Sequence, residues 1–208
     1  MQARVKICGI TNLEDALAAC AAGADALGFN FAEEAKAKNR YIEPDKAREL
    51  VRQLPPLVTT VAVCVNESLE NMHGYLEFMD CIQLHGEETP EQCRAIQGRV
   101  IKAIRLRPEL SADDLKKYPV SACLLDAYVE GERGGTGRVC DWESARTLAD
   151  ATEHLILAGG LTPDNVADAV KTVGPYAVDT AGGVESEPGR KDHERLREFI
   201  HHAKISVS

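Results

Sequence analysis

The sequence predicts a (β/α)8 barrel of the TIM-barrel α/β class, with residues 1–208 forming one domain. Three observations predict it. Apolar runs of strand length alternate with helix-period segments from end to end. There are eight such runs, and most are apolar on both faces, as parallel strands covered on each side must be. At 208 residues and 44% hydrophobic content the chain can build one sizeable core, and no low-complexity linker divides it. A doubly wound open sheet is the competitor. Its dinucleotide-binding form needs a G-x-G-x-x-G turn after the first strand, and Cys8-Gly9-Ile10-Thr11 is not one.

Residues 5–8 form the first run. Behind it Thr11-x-x-Glu14 reads as a capping box opening a helix in which Leu13, Ala16, Leu17 and Cys20 fall at helical spacing, with Gly23 near its end. Residues 26–31 are the second run. A long loop follows, and Glu43-Pro44 starts the next helix with proline at its first position. The third and fourth runs are residues 60–65 and 81–84, after which Thr89-Pro90-Glu91-Gln92 combines an N-cap, a proline and the matching glutamine. Residues 100–104, 122–126 and 155–158 are the fifth to seventh, and Thr162-Pro163 repeats the cap-plus-proline device. Residues 176–179 are the eighth, and His201-His202 reads as a solvated helix end.

Charge and cysteine usage narrow the function. A net charge of -9 argues against nucleic acid or an anionic membrane as partner, since both reward clustered Lys and Arg. A small anionic substrate needs only local N–H groups and one or two arginines. Seven scattered cysteines, never spaced as C-x-x-C, fit neither a disulfide framework nor a zinc site and point to the reducing cytoplasm. No run approaches the ~18 residues of a membrane span.

In a barrel the active site lies at the C-terminal ends of the strands. Those positions hold Cys8, Asn30, Asn66, His85, Arg105, Asp126, Gly159-Gly160 and Asp179. Cys8 taken alone is a small buried hydrophobe; at a barrel mouth it is a candidate base that needs help, because a free thiol titrates near 8.5. Lys6 shares its strand face by alternation and would favour the thiolate. Asp126 is either a turn residue or a proton donor raised by desolvation. Gly134-Gly135-Thr136-Gly137, Gly159-Gly160 and Gly182-Gly183 follow the last three runs, where glycine lets backbone N–H groups approach a phosphate. Arg40 and Arg105 are candidates for a second anion. His85 reads as a hydrogen-bonding residue rather than a metal ligand, having no partner at suitable spacing.

The motifs Lys6-Ile7-Cys8-Gly9-Ile10-Thr11, Gln83-Leu84-His85-Gly86, Leu124-Leu125-Asp126-Ala127, Gly134-Gly135-Thr136-Gly137 with Asp141-Trp142, and Leu157-Ala158-Gly159-Gly160-Leu161 closely resemble the phosphoribosylanthranilate isomerase family of tryptophan biosynthesis. Val178-Asp179, Gly183-Val184-Glu185 and Pro188-Gly189-Arg190-Lys191-Asp192 extend the resemblance over nearly the whole chain. It implies a cofactor-free, metal-free Amadori rearrangement of a small phosphorylated substrate by a monomer or homodimer. On this resemblance Asp126 is the general acid, Cys8 the general base and Arg40 the partner of the anthranilate carboxylate. The glycine clusters, including Gly135, Thr136, Gly159, Gly160, Gly182 and Gly183, hold the phosphate. His85, Arg105 and Asp179 complete the substrate contacts.

Two alternatives stand beside it, a non-catalytic sugar-phosphate-binding barrel and a dual-substrate isomerase that also serves histidine synthesis. Barrels of the latter kind resemble this chemistry but use an Asp where this chain has Cys8, which counts against that alternative. The chain also departs from the family pattern twice. Its second loop, residues 31–40, is longer and lacks the prolines of Phe-Tyr-Pro-x-Ser-Pro-Arg, and Asp179-Thr180-Ala181-Gly182-Gly183 replaces Asp-Val-Ser-Ser-Gly.

Overall fold

The computed structural model describes residues 2–127 and 139–205. Eight strands close into a barrel in chain order: β1 Arg4–Cys8, β2 Ala26–Asn30, β3 Thr59–Cys64, β4 Cys81–Leu84, β5 Arg99–Leu106, β6 Ala122–Ala127, β7 Leu155–Leu157 and β8 Ala177–Thr180. Every neighbouring pair is parallel, and β8 returns to β1 with Asp179 opposite Lys6. The helices between them are α1 Leu13–Ala22, α2 Pro44–Val51, α3 Leu69–Leu76, α4 Pro90–Ala95, α5 Ala112–Lys116, α6 Trp142–Thr147 and α7 Val166–Val173, and α8 His193–Ile205 closes the ring. A two-strand hairpin, β9 Glu185–Glu187 with β10 Arg190–Lys191, lies between β8 and α8.

Side-chain alternation sorts the strands into two cores. Val61, Cys81, Ile101, Ala103, Leu124, Ile156 and Ala177 fill the barrel interior. Ile7, Leu27, Phe29, Ile82, Leu84, Leu125, Leu157 and Val178 point outward under the helices. That is why the runs read as apolar on both faces. Among the described residues no helix is long and apolar enough to cross a membrane.

The helix starts follow sequence chemistry with two corrections. Thr89 and Gln92 form the expected capping box, and Pro44 takes the first turn of α2. At α1 the cap is Asn12, not Thr11: its side chain accepts the Asp15 N–H at 2.8 Å. Thr11 instead donates its hydroxyl to the Gly189 carbonyl at 3.0 Å. Behind Thr162-Pro163 a turn intervenes, with Asn165 Oδ1 accepting the Thr162 N–H, so α7 starts only at Val166. His202, expected to be solvated, packs back onto the Pro163 carbonyl at 2.8 Å.

Candidate active site

A cleft of about 910 Å³ opens at the C-terminal ends of the strands. Cys8, Arg40, His85, Arg105, Asp126, Gly159, Gly160, Asp179, Gly182 and Gly183 all line it, as does Asn30. Gly135 and Thr136 lie outside the described residues. Asn66 does not line the cleft; its side chain accepts the Glu87 N–H at 2.9 Å and ties the β3 and β4 loops together. Among the described residues no cluster of His, Cys, Asp and Glu could hold a metal ion.

Cys8 ends β1 on the interior face, 9% exposed. Lys6, two residues back, shares that face, and its Nζ donates to Asp179 Oδ1 at 2.6 Å. Both approach Gly28 of β2. A Cβ there would stand 2.8 Å from Cys8 Sγ and 3.0 Å from Lys6 Nζ, so only glycine leaves room for the thiol and the ammonium to converge. Burial pushes the Cys8 thiol above its ordinary range; Lys6 and Lys191 pull the other way without overcoming it, and Asp179 adds to the rise. Burial also works against the Lys6 ammonium, but the Asp179 and Cys8 charges outweigh it and hold the amine protonated.

Asp126 continues the interior face of Ala122 and Leu124 at the end of β6 and is 6% exposed. Its Oδ1 accepts the Ala127 N–H at 2.8 Å. Its Oδ2 faces His85 Nε2 at 3.2 Å, an ion-pair distance lying off the line a hydrogen bond needs. Gln83, two residues back on the same face, meets His85 Nδ1 at 3.4 Å. His85 therefore stands beside the candidate acid, an adjacency that separate motifs in the sequence did not reveal. Arg105 lines the cleft but is ion-paired with Glu87.

The loops after β7 and β8 lie back to back. Gly159 and Gly160 both have positive φ, +87° and +63°, turning the chain sharply behind β7. A Cβ on Gly183 would overlap the Leu161 carbonyl oxygen. Thr180 donates its hydroxyl to that carbonyl at 2.8 Å, so it does not stand in for a serine facing the cleft. Arg195, at the start of α8, donates to the Gly183 carbonyl at 3.0 Å and also lines the cleft.

A thiol, a carboxyl and two glycine loops at one barrel mouth accord with comparisons to known proteins. The family model described as N-(5'phosphoribosyl)anthranilate (PRA) isomerase matches residues 5–202. The chain belongs to the N-(5'-phosphoribosyl)anthranilate isomerase family. An isomerase of that name from Geobacter sulfurreducens is 53% identical over 203 residues, covering 97% of this chain and 98% of its own. One from Trichlorobacter lovleyi is 50% identical over 206 residues, covering 98% and 99%. The crystal structure of phosphoribosyl anthranilate isomerase from Thermotoga maritima superposes with a TM-score of 0.88 at 41% identity, covering 98% and 99%. A phosphoribosyl anthranilate isomerase solved in complex with reduced 1-(o-carboxyphenylamino)-1-deoxyribulose 5-phosphate gives 0.86 at 41% identity, with the same coverage.

Both departures from the phosphoribosylanthranilate isomerase pattern fall around one side chain. The long second loop folds as a 3-10 turn, Glu33–Lys38, ended by Asn39 in the left-handed region at φ 51°. Arg40 follows and crosses the mouth to Glu185 of β9, with Nη2 donating to Oε2 at 2.7 Å and Nε to Oε1 at 2.9 Å. Glu185 also accepts from Lys191 Nζ at 2.9 Å, and that ammonium donates to the Cys8 carbonyl at 2.7 Å. Sequence reasoning assigned no role to Glu185 or Lys191, although both stand in motifs that carried the family resemblance.

Proposed function

We propose that this barrel catalyses the Amadori rearrangement of N-(5-phosphoribosyl)anthranilate to 1-(2-carboxyphenylamino)-1-deoxy-D-ribulose 5-phosphate in L-tryptophan biosynthesis, with Asp126 as general acid and Cys8 as general base. Asp126 gives its proton to the furanose ring oxygen. The C1′–O bond breaks as the nitrogen lone pair forms the C1′=N bond of a protonated Schiff base. The Cys8 thiolate then takes the C2′ proton, and the freed electron pair forms a C1′=C2′ bond while the C=N pair returns to nitrogen. The resulting enolamine gains a proton at C1′ and loses one from its 2′-hydroxyl, giving the ketone. Proton transfer of this kind contributes about 10² to 10⁴ in rate for each positioned group.

The observation that carries this reading is that Cys8 of β1 and Asp126 of β6 open onto one cleft. Arg40 would take the anthranilate carboxylate as a charge-assisted fork. The glycine loops behind β7 and β8, with Gly135 and Thr136, would bind the 5′-phosphate through backbone N–H groups. His85, beside Asp126, and Arg105 are further contacts for the anionic substrate, and Asp179 acts through Lys6. No cofactor enters the scheme. The enzyme would work in the cytoplasm as a monomer or homodimer, a setting that suits seven free cysteines.

The test is consumption of anthranilate ribotide followed by fluorescence. Cys8→Ala and Asp126→Asn should each lower turnover by about a hundredfold or more with the melting transition retained. Near-normal turnover in either folded variant would remove the assigned role.

A further inference from the structure

Arg40 is not a solvated loop arginine. Its side chain is 12% exposed and that of Glu185 is 5% exposed. To reach Glu185 the side chain leaves the β2 loop, passes the exit of β1 and arrives over the loop after β8. Two glycines line that path. A Cβ on Gly9 would meet Arg40 Cδ at 3.2 Å and Cγ at 3.3 Å, and a Cβ on Gly182 would meet Nη2 at 2.7 Å. The aliphatic shaft therefore rests over one glycine and the guanidinium over the other.

A guanidinium offers its five N–H donors along two forked edges. Glu185 engages the edge made by Nε and Nη2, with a further Nε contact to Oε2 at 3.2 Å. The edge carrying Nη1 remains for a second carboxylate, and Arg40 lines the cleft. Glu185 is itself fixed. Burial works against its carboxylate, yet Arg40 and Lys191 outweigh that and hold the carboxyl below its ordinary range. Lys191 Nζ is anchored to the carbonyls of Cys8 and Ala181 at 2.7 and 3.1 Å. Two cations around one carboxylate leave a single positive charge within this trio for an incoming anion.

We propose that Glu185 is a positioning residue that aims the remaining edge of Arg40 at the substrate carboxylate, and that Gly182 is the glycine that gives the guanidinium its room. The proposal rests on the reading of Arg40 as the carboxylate partner. It makes the two departures from the family pattern one adaptation. The longer second loop carries Arg40 across β1, and the hydroxymethyl group usual after β8 is absent where the guanidinium arrives.

The experiment compares binding of two reduced product analogues, the carboxyphenylamino sugar phosphate and its phenylamino counterpart lacking the carboxylate. In the unaltered enzyme the carboxylate should improve affinity about tenfold or more, as a charge-assisted hydrogen-bonded pair does. Glu185→Gln keeps the shape of the clamp and removes its charge. It should lose most of that preference, raise KM, and leave kcat within about threefold, an estimate reflecting loss of uniform binding. Gly182→Ser, which leaves Lys191 its partner, should lose the preference in the same way while melting near the parent temperature.

A merely structural role would weaken both analogues equally, so retained discrimination in both folded variants overturns the proposal. Tighter binding of the carboxylated analogue in Glu185→Gln would also overturn it, because Glu185 would then be a competitor for Arg40. Failure of the underlying reading looks different: Arg40→Leu would then still prefer the carboxylated analogue.

Discussion

Replacing Lys6 by methionine tests whether the buried ammonium keeps Cys8 reactive. Both Lys6 Nζ and Cys8 Sγ lie within 3.0 Å of the point where a Gly28 Cβ would stand, which bounds their separation at about 6 Å. At an effective dielectric of about 20, a unit charge at that distance stabilises a thiolate by about 3 kcal/mol, roughly a hundredfold in thiolate population. The same substitution strands Asp179, which is 9% exposed and bonded to Lys6 at 2.6 Å. Removing one partner of such a pair typically costs about 3–5 kcal/mol of stability, a large part of the roughly 5–15 kcal/mol a domain possesses. The two effects need separating. Lys6→Met/Asp179→Asn removes both charges, and near-isosteric neutral replacement of a buried pair is often close to neutral in stability.

The assay is alkylation of Cys8 by iodoacetamide, resolved by peptide mass spectrometry, with the half-buried Cys20 as internal reference. Lys6→Met should alkylate at Cys8 about a hundredfold more slowly than the parent, by the same Coulomb estimate. The double variant should melt close to the parent and label at an intermediate rate, because it also loses the Asp179 charge that opposes the thiolate. Parental labelling of Cys8 in a folded Lys6→Met protein would refute the electrostatic argument.

Further outcomes follow from the geometry. Because burial raises the Cys8 thiol, the thiolate fraction should still be growing above neutrality. The rate of Cys8 alkylation should therefore climb on the alkaline side to beyond the ordinary thiol range, and a plateau by pH 7 in iodoacetamide labelling would contradict the raised thiol. Gly183→Ala should destabilise by about 1–3 kcal/mol, since the added methyl meets the Leu161 carbonyl, and should raise KM by separating the β7 and β8 loops; denaturant melts and kinetics read the two effects. Thr89→Ala removes the hydroxyl of the α4 capping box and should cost about 1 kcal/mol in urea unfolding with unchanged kcat. Asp15 and Glu185 are both held below their ordinary values of 3.8 and 4.5, so the unfolded chain takes up protons first. Their contribution is present above about pH 4.5 and is lost as pH falls through the depressed folded values, which acid-titrated thermal melts should show.

The barrel was readable because its determinants are local. Alternation on β6 puts Leu124 and Asp126 on one face while Leu125 packs outward, and Thr89-Pro90-Glu91-Gln92 carries a complete helix start within four residues. The same locality explains the misplaced cap at α1. Thr11-x-x-Glu14 satisfies the pattern, but Asn12 wins because the Thr11 hydroxyl is engaged by Gly189, 178 residues away. The candidate acid and base were readable as strand-end residues, and so was Lys6 by its place on the face of Cys8; the supports from distant parts of the chain were not. Lys191 meets Cys8 across 183 residues, and Arg40 meets Glu185 across 145. No spacing rule reports such contacts, since closure of the ring from β8 to β1 is what creates them.

On the proposed roles of Cys8 and Asp126, the two halves of the mouth need opposite surroundings. Around the base, Lys6 and Lys191 approach Cys8 from its own strand and from the β9–β10 hairpin, and each counters the burial that disfavours a thiolate. Around the acid, Asp126 has one backbone N–H on one oxygen and an imidazole facing the other, with Arg105 drawn aside by Glu87. A lysine or arginine paired directly with Asp126 would stabilise its carboxylate and oppose proton donation. The Glu87 pairing therefore matters as much for what it withholds from Asp126 as for what it binds. Glu87→Gln, by freeing the guanidinium, should slow ring opening in single-turnover kinetics while leaving Cys8 alkylation unchanged. Faster alkylation would show that the two halves are not electrostatically separate, because a freed cation favours the thiolate.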